Sequence, residues 1–163
     1  MNIRVTKGNV FKVKLSNGYI RYFQFLGKDV SELNGDVIVI FKKHYTDEQY
    51  NMDEILQDEI ECFMHTSVSF GVKLGLWERV FTSPVSIPEA DIVFRTSQDI
   101  GLHPRQHFVS HRWVVWSMNG DRRYVGTLPK KYYKADLGGV YAPIHVIIRL
   151  ETGEVPDKYY PSY

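Results

Sequence analysis

The stretch KGNVFKVKLSNGYIRYFQFLGKDVSELNGDVIVIFKK, residues 7–43, decides the fold. Phe11, Val13 and Leu15 alternate with Lys12, Lys14 and Ser16, which is the two-residue period of a half-buried strand. Asn17-Gly18 follows, the pair that a type I′ hairpin turn favours because both of its central residues need positive φ. Tyr19 to Leu26 returns as an aromatic-rich strand. After a loop containing Asn34-Gly35, the run Val37-Ile38-Val39-Ile40-Phe41 is apolar on both faces, so it reads as a central strand covered on both sides. The segment therefore predicts three strands of a tight antiparallel meander.

Outward from this core, Thr46 or Asp47 is placed to cap a helix. Met52, Ile55, Leu56, Ile60 and Phe63 then recur at helical spacing with acids on the opposite side, which predicts one amphipathic helix from Asp47 to Cys62. Strand patterns resume over residues 67–72 and 76–81. Pro84 and Pro88 exclude residues 83–89 from a central strand, because proline removes ladder donors and fixes φ. A short strand over 91–95 and a polar loop over 96–107 follow. Arg112 to Met118, Asn119-Gly120 and Arg122 to Gly126 form a second predicted hairpin. Pro129 opens a short helix that ends by Gly138-Gly139, and residues 143–150 read as a final apolar strand. The predicted architecture is α+β and mainly antiparallel β, with strongly bent sheets, partial-barrel character near the N-terminus and one main amphipathic helix. A single domain over residues 1–163 is expected, and 83–90 is the place where it would subdivide.

A composition of 44% hydrophobic and 14% aromatic residues excludes a disordered chain. The apolar runs fall short of the roughly 20 residues that cross a bilayer. Met1 to Thr6 carries no secretory pattern, and Cys62 alone permits no internal disulfide, so a cytoplasmic protein without membrane contact is expected. The formal charge of +1 conceals a polarised chain. Residues 47–61 hold seven acids and no Lys or Arg, while Arg105, Arg112, Arg122, Arg123, Lys130, Lys131 and Lys134 gather in one later segment. The small net charge argues against a nucleic-acid partner.

Candidate chemistry is sparse. His103, His107 and His111 are spaced by four, as metal ligands on one helix face would be, but Pro104 and the β-like run from Phe108 to Val114 oppose that helix. No metal or cofactor is expected. Cys62 with His65 lies among acids, the wrong setting for an activated thiolate. No phosphate-binding or dinucleotide glycine pattern occurs; Gly71-Val72-Lys73-Leu74-Gly75 lacks the spacing. Trp113 and Trp116 differ by an odd number, so a regular strand points them to opposite sides and they cannot share one stacking platform.

The opening Gly8-Asn9-Val10-Phe11, the turn Asn17-Gly18 with Tyr19, Trp77 with Val80, the strand-turn-Gly unit Val114 to Gly126, and Val146 to Leu150 with Gly153 occur in this order. Together they resemble the immunity protein 26 family, in which a glycine-led strand opens the domain; Asn9 stands where that family usually has Asp. The resemblance implies a non-catalytic bacterial protein that binds a cognate polymorphic toxin and blocks it inside the producing cell. On that reading Asp53, Glu54, Asp58 and Glu61 would face a basic toxin cleft. Two further readings stand beside it. A glycine-led strand entering a small barrel is also similar to RNA-cleaving toxins, although the Arg-Pro step of their third strand is missing before Val37. A small-molecule pocket lined by Tyr19, Phe23, Trp77 and Trp113 is the other.

Overall fold

The computed structural model describes residues 4–101, 108–154 and 161–163. The expected meander is present as β1 (Asn9–Lys14), β2 (Ile20–Asp29) and β3 (Gly35–Phe41). Two later strands extend it, β4 (Ile60–Thr66) beside β3 and β5 (Glu78–Thr82) beside β1, giving an antiparallel sheet of order β4-β3-β2-β1-β5. Every residue of β3 is buried, as its two apolar faces require. Register shifts at Val10/Phe11, Phe25/Gly27 and Ile40/Phe41 bend the sheet, but it stays open and does not close as a barrel. Gly8 leads β1 for a steric reason. Its φ is +93°, and a Cβ there would sit 2.3 Å from the Ser83 carbonyl oxygen.

The second sheet contains β6 (Val93–Ser97), β7 (Trp113–Ser117), β8 (Arg123–Gly126) and the two-residue β9 (Asp136–Leu137), in the order β8-β7-β6-β9. The β7–β8 hairpin forms as expected, with Asn119 in the turn at φ 59°. Phe94, Trp116 and Met118 of this layer pack with Val10, Tyr22, Leu26, Val37 and Val39 of the first sheet. On the first sheet's other face, Phe11, Val13, Phe23, Phe25, Ile38 and Ile40 meet two helices, α2 (Val68–Lys73) and α3 (Pro143–Thr152). The molecule is thus helices on sheet on sheet, and the strongly apolar β3 belongs in the middle layer.

Three local expectations are corrected. The helix predicted over 47–62 is only α1 (Met52–Leu56), capped by the Asn51 side chain on the Glu54 amide. Asp58 then accepts from the Lys43 and Glu59 amides and turns the chain into β4, where Cys62 and Met64 face the helices and the side chain of His65 faces the second sheet. Pairing with β3 overrides the helical spacing of the apolar residues. The strand predicted at 143–150 is α3, the longest helix. Pro143 occupies its first turn, Val146 and Leu150 are buried one turn apart, and Gly153 closes it at φ 72°. Residues 68–73, also expected as strand, form α2. Trp77 folds back onto it and donates its indole N–H to the Val68 carbonyl at 3.0 Å.

Candidate functional site

Asp29, at the end of β2, is fully buried and receives four donors. Its Oδ2 accepts from His65 Nε2 at 2.9 Å and Trp116 Nε1 at 3.0 Å, and its Oδ1 accepts from the amides of Ser31 and Asn119, both at 2.9 Å. Burial pushes this carboxyl up, but the four hydrogen bonds outweigh that and hold it below the ordinary value. Burial likewise pushes His65 below its ordinary value, so it is neutral at pH 7, donating from Nε2 and packing at 4.1 Å on Phe94. The Arg122 guanidinium lies 4.1 Å over Trp116 and bonds Glu32 at 2.8 Å, closing the node from outside. Asp29 therefore ties β2, β4, β7 and the hairpin turn together. No signal in the sequence separates it from a turn-forming Asp.

A second cluster lies on the helix side. Arg21, 1% exposed, donates to the Leu150 carbonyl at 3.1 Å near the C-terminus of α3 and to the Phe41 carbonyl at 2.6 Å. This places a cation at the negative end of the helix dipole. Glu61 lies 3.4 Å from Arg21 and 3.7 Å from Arg149. Beside them Cys62, Met64, Asp136, Tyr141 and Arg149 line a partly open hollow of about 20 Å³, room for one water. Burial, aided by the Asp136 and Glu61 carboxylates, pushes the Cys62 thiol up to about 12, so it is no nucleophile at neutral pH. Asp136 accepts from the Phe63 amide at 2.8 Å; burial raises its carboxyl to about 6. Cys62 and His65, three apart on β4, serve different layers.

The four acids expected at a partner surface separate. Asp53 and Glu54 are exposed on α1, with Glu54 paired to Lys43. Asp58 is committed to the turn into β4, and Glu61 to Arg21 and Arg149. Neighbouring acids are also paired, Glu48 with Lys12 and Lys14 and Glu59 with Lys42. Among the later cations, Arg112 pairs with Asp99 and Arg122 with Glu32, whereas Arg123 donates to the Tyr132 hydroxyl at 2.7 Å. Lys130, Lys131 and Lys134 are exposed and carry no ion pair among the described residues.

The remaining candidates do not converge. His111 contacts the Thr127 hydroxyl at 3.1 Å; His103, His107 and Arg105 lie outside the described residues. No group of three metal-ligating side chains occurs among the described residues. Trp113 and Trp116 do face opposite sides of β7 and both are buried, Trp113 under Leu128 and Trp116 between the sheets. Phe23 is fully buried with Trp77 edge-on at 5.1 Å, Tyr19 is exposed, and Trp113 belongs to the other sheet, so these four residues line no common pocket. No helix of the described residues is long and apolar enough to cross a membrane. Compared with models of known families, with curated proteins and with solved structures, the chain matches none of them.

Proposed function

We propose that this chain is a non-catalytic binding protein of the immunity type, which neutralises a cognate protein toxin in the cytoplasm of the cell that makes it. The observation that carries the reading is where the reactive groups sit. Cys62, Asp29 and His65 are buried and spent on holding layers together, while exposed charge lies on α1 and beside the β7–β8 hairpin. Groups locked inside a core have no access to a substrate, but a rigid three-layer scaffold presents surface groups at fixed positions. The ordered landmarks shared with the immunity protein 26 family support the same reading, with Gly8 fixed by its close approach to Ser83.

Asp53 and Glu54 are placed to steer a basic partner, since exposed acids raise association rate more than final affinity. Glu61 is better explained as the counter-ion of Arg21 and Arg149. The test has two parts. Affinity capture from the native cell, followed by co-expression of the captured partner with this chain, should show a stoichiometric complex and rescued growth. A partner that remains toxic beside folded wild-type protein would overturn the proposal, and RNA cleavage by the chain would point to the toxin reading instead.

A further inference from the structure

The outer face of the second sheet is half covered. Leu128, Tyr132 and Tyr133 pack with Trp113 and Val115 over one part of it and bury Val115, while Val93 and Ser117 beside them stay partly exposed. There Val93, Ser117, Arg123 and Tyr132 border a hollow of about 420 Å³ with Asp121 on its rim. A second hollow of about 270 Å³ is lined by Asp91, Lys131, Lys134 and Asp136, and the two share Val93 and Tyr132. The two hollows adjoin at Val93 and Tyr132 as one groove with charged side chains along its sides.

We infer that this groove is the anchoring surface for the partner, and that it takes an extended polypeptide segment carrying carboxylates between apolar side chains. Three features select this occupant. Lys131 and Lys134 have no carboxylate partner among the described residues, and the guanidinium of Arg123 spends one donor on the Tyr132 hydroxyl and keeps others for an incoming carboxylate. Val93, partly exposed where the two hollows meet, offers apolar contact to a side chain between those carboxylates. Asp91, Asp121 and Asp136 line the same groove, so an occupant charged at every position, as a polyphosphate is, meets like charge along it, whereas carboxylates spaced by apolar side chains can be set against the cations alone. Tyr132 and Arg123, hydrogen-bonded at the junction of the two hollows, are of the residue types that dominate binding energy at protein interfaces. The mixed-charge hollow beside Trp77 differs, because its cations Lys12 and Lys14 already pair with Glu78 and Glu48.

This inference rests on the proposal that the chain binds a protein. Its direct test is titration of isotope-labelled protein with three probes: a capped heptapeptide alternating valine and glutamate, the same peptide with lysine for glutamate, and a heptauridylate. The glutamate peptide should bind saturably, shifting the amide resonances of Val93, Val115 and Tyr132. K131E/K134E should weaken it about tenfold or more, and Y132A should weaken it with the charges intact. No saturable shift at these residues, binding unchanged in both variants, or tighter binding of the heptauridylate would overturn the inference. The parent reading fails differently. If wild-type protein does not neutralise the partner, the immunity proposal falls whatever the peptide does; if K131E/K134E neutralises as well as wild type, the groove falls and the immunity proposal stands.

Discussion

The acidic segment 47–61 and the groove beside β8 carry opposite lessons about charge. In the first, Glu48, Glu54, Glu59 and Glu61 each meet a Lys or Arg, and Asp58 is held by backbone amides. In the second, Lys131, Lys134, Asp91 and Asp121 carry no ion pair among the described residues. A run of like charge in sequence need not be a field in space, because strands bring counter-ions to it from elsewhere in the chain. Lys12, Lys14, Lys42 and Lys43 do so here.

The contrast breaks most visibly at Glu61. Glu61→Lys would leave Arg21 and Arg149 facing a third cation in a nearly closed space, and should cost about 3 kcal/mol or more in denaturant unfolding. A loss under about 1 kcal/mol would return Glu61 to the surface acids.

Asp136, which serves both the interior and the groove, gives the next largest effect. Its folded value of about 6 lies above the unfolded value near 3.8, so the folded protein binds more protons between these limits. Its contribution to stability therefore falls as pH rises from about 4 to about 6, and the cost of ionising it is fully present above that window. Asp136→Asn, whose amide oxygen can still accept from Phe63, should stabilise the protein at pH 7.5 by roughly 1–3 kcal/mol and leave it unchanged near pH 3.5. His65 has the opposite sign. Its depressed value gives stability that is present above about 6.5 and is lost as pH falls, so the two should be separated by comparing variant with wild type at each pH.

Smaller effects sharpen the distinction. D53K/E54K should change stability by less than about 1 kcal/mol, because the one pair it removes is exposed. It should slow association with a basic partner mainly at low salt, with little change in dissociation. K131E/K134E should cost no more than about 1 kcal/mol in unfolding, since it removes no ion pair among the described residues and only the exposed contact of Lys131 over the Tyr132 ring, yet it should speed dissociation of the complex. A marked fall in the melting temperature of K131E/K134E would mean that these lysines hold the fold by more than the Lys131–Tyr132 contact.

Much of this architecture was readable where local signals agreed. Asn17-Gly18 and Asn119-Gly120 marked hairpins that formed, although only Gly18 and Asn119 of these four take positive φ and neither pair makes the type I′ turn expected of Asn17-Gly18; the two-faced apolarity of residues 37–41 placed β3 in the middle layer. The reading failed where two periods fitted one segment. Ile55, Leu56, Ile60 and Phe63 satisfy helical spacing, but Cys62 and Met64 also alternate with Glu61, Phe63 and His65, and pairing with β3 decided in favour of the strand. For α3 the deciding signals were present, Pro143 at the start and Gly153 at the end, but the β-branched run Val146-Ile147-Ile148 outweighed them. The candidate site was less legible. Asp29 and His65 are 36 residues apart, and the groove assembles Val93, Val115, Arg123, Tyr132 and Lys134 from separate elements with no shared motif.

The most direct test is growth rescue by co-expression with the toxic protein that the proposal requires, comparing wild type, D53K/E54K and K131E/K134E at matched levels of folded protein. Wild type should rescue fully, D53K/E54K nearly so, and K131E/K134E should not rescue. Rescue by K131E/K134E together with failure of D53K/E54K would move the anchor from the groove to α1, and failure of wild type would contradict the immunity function itself.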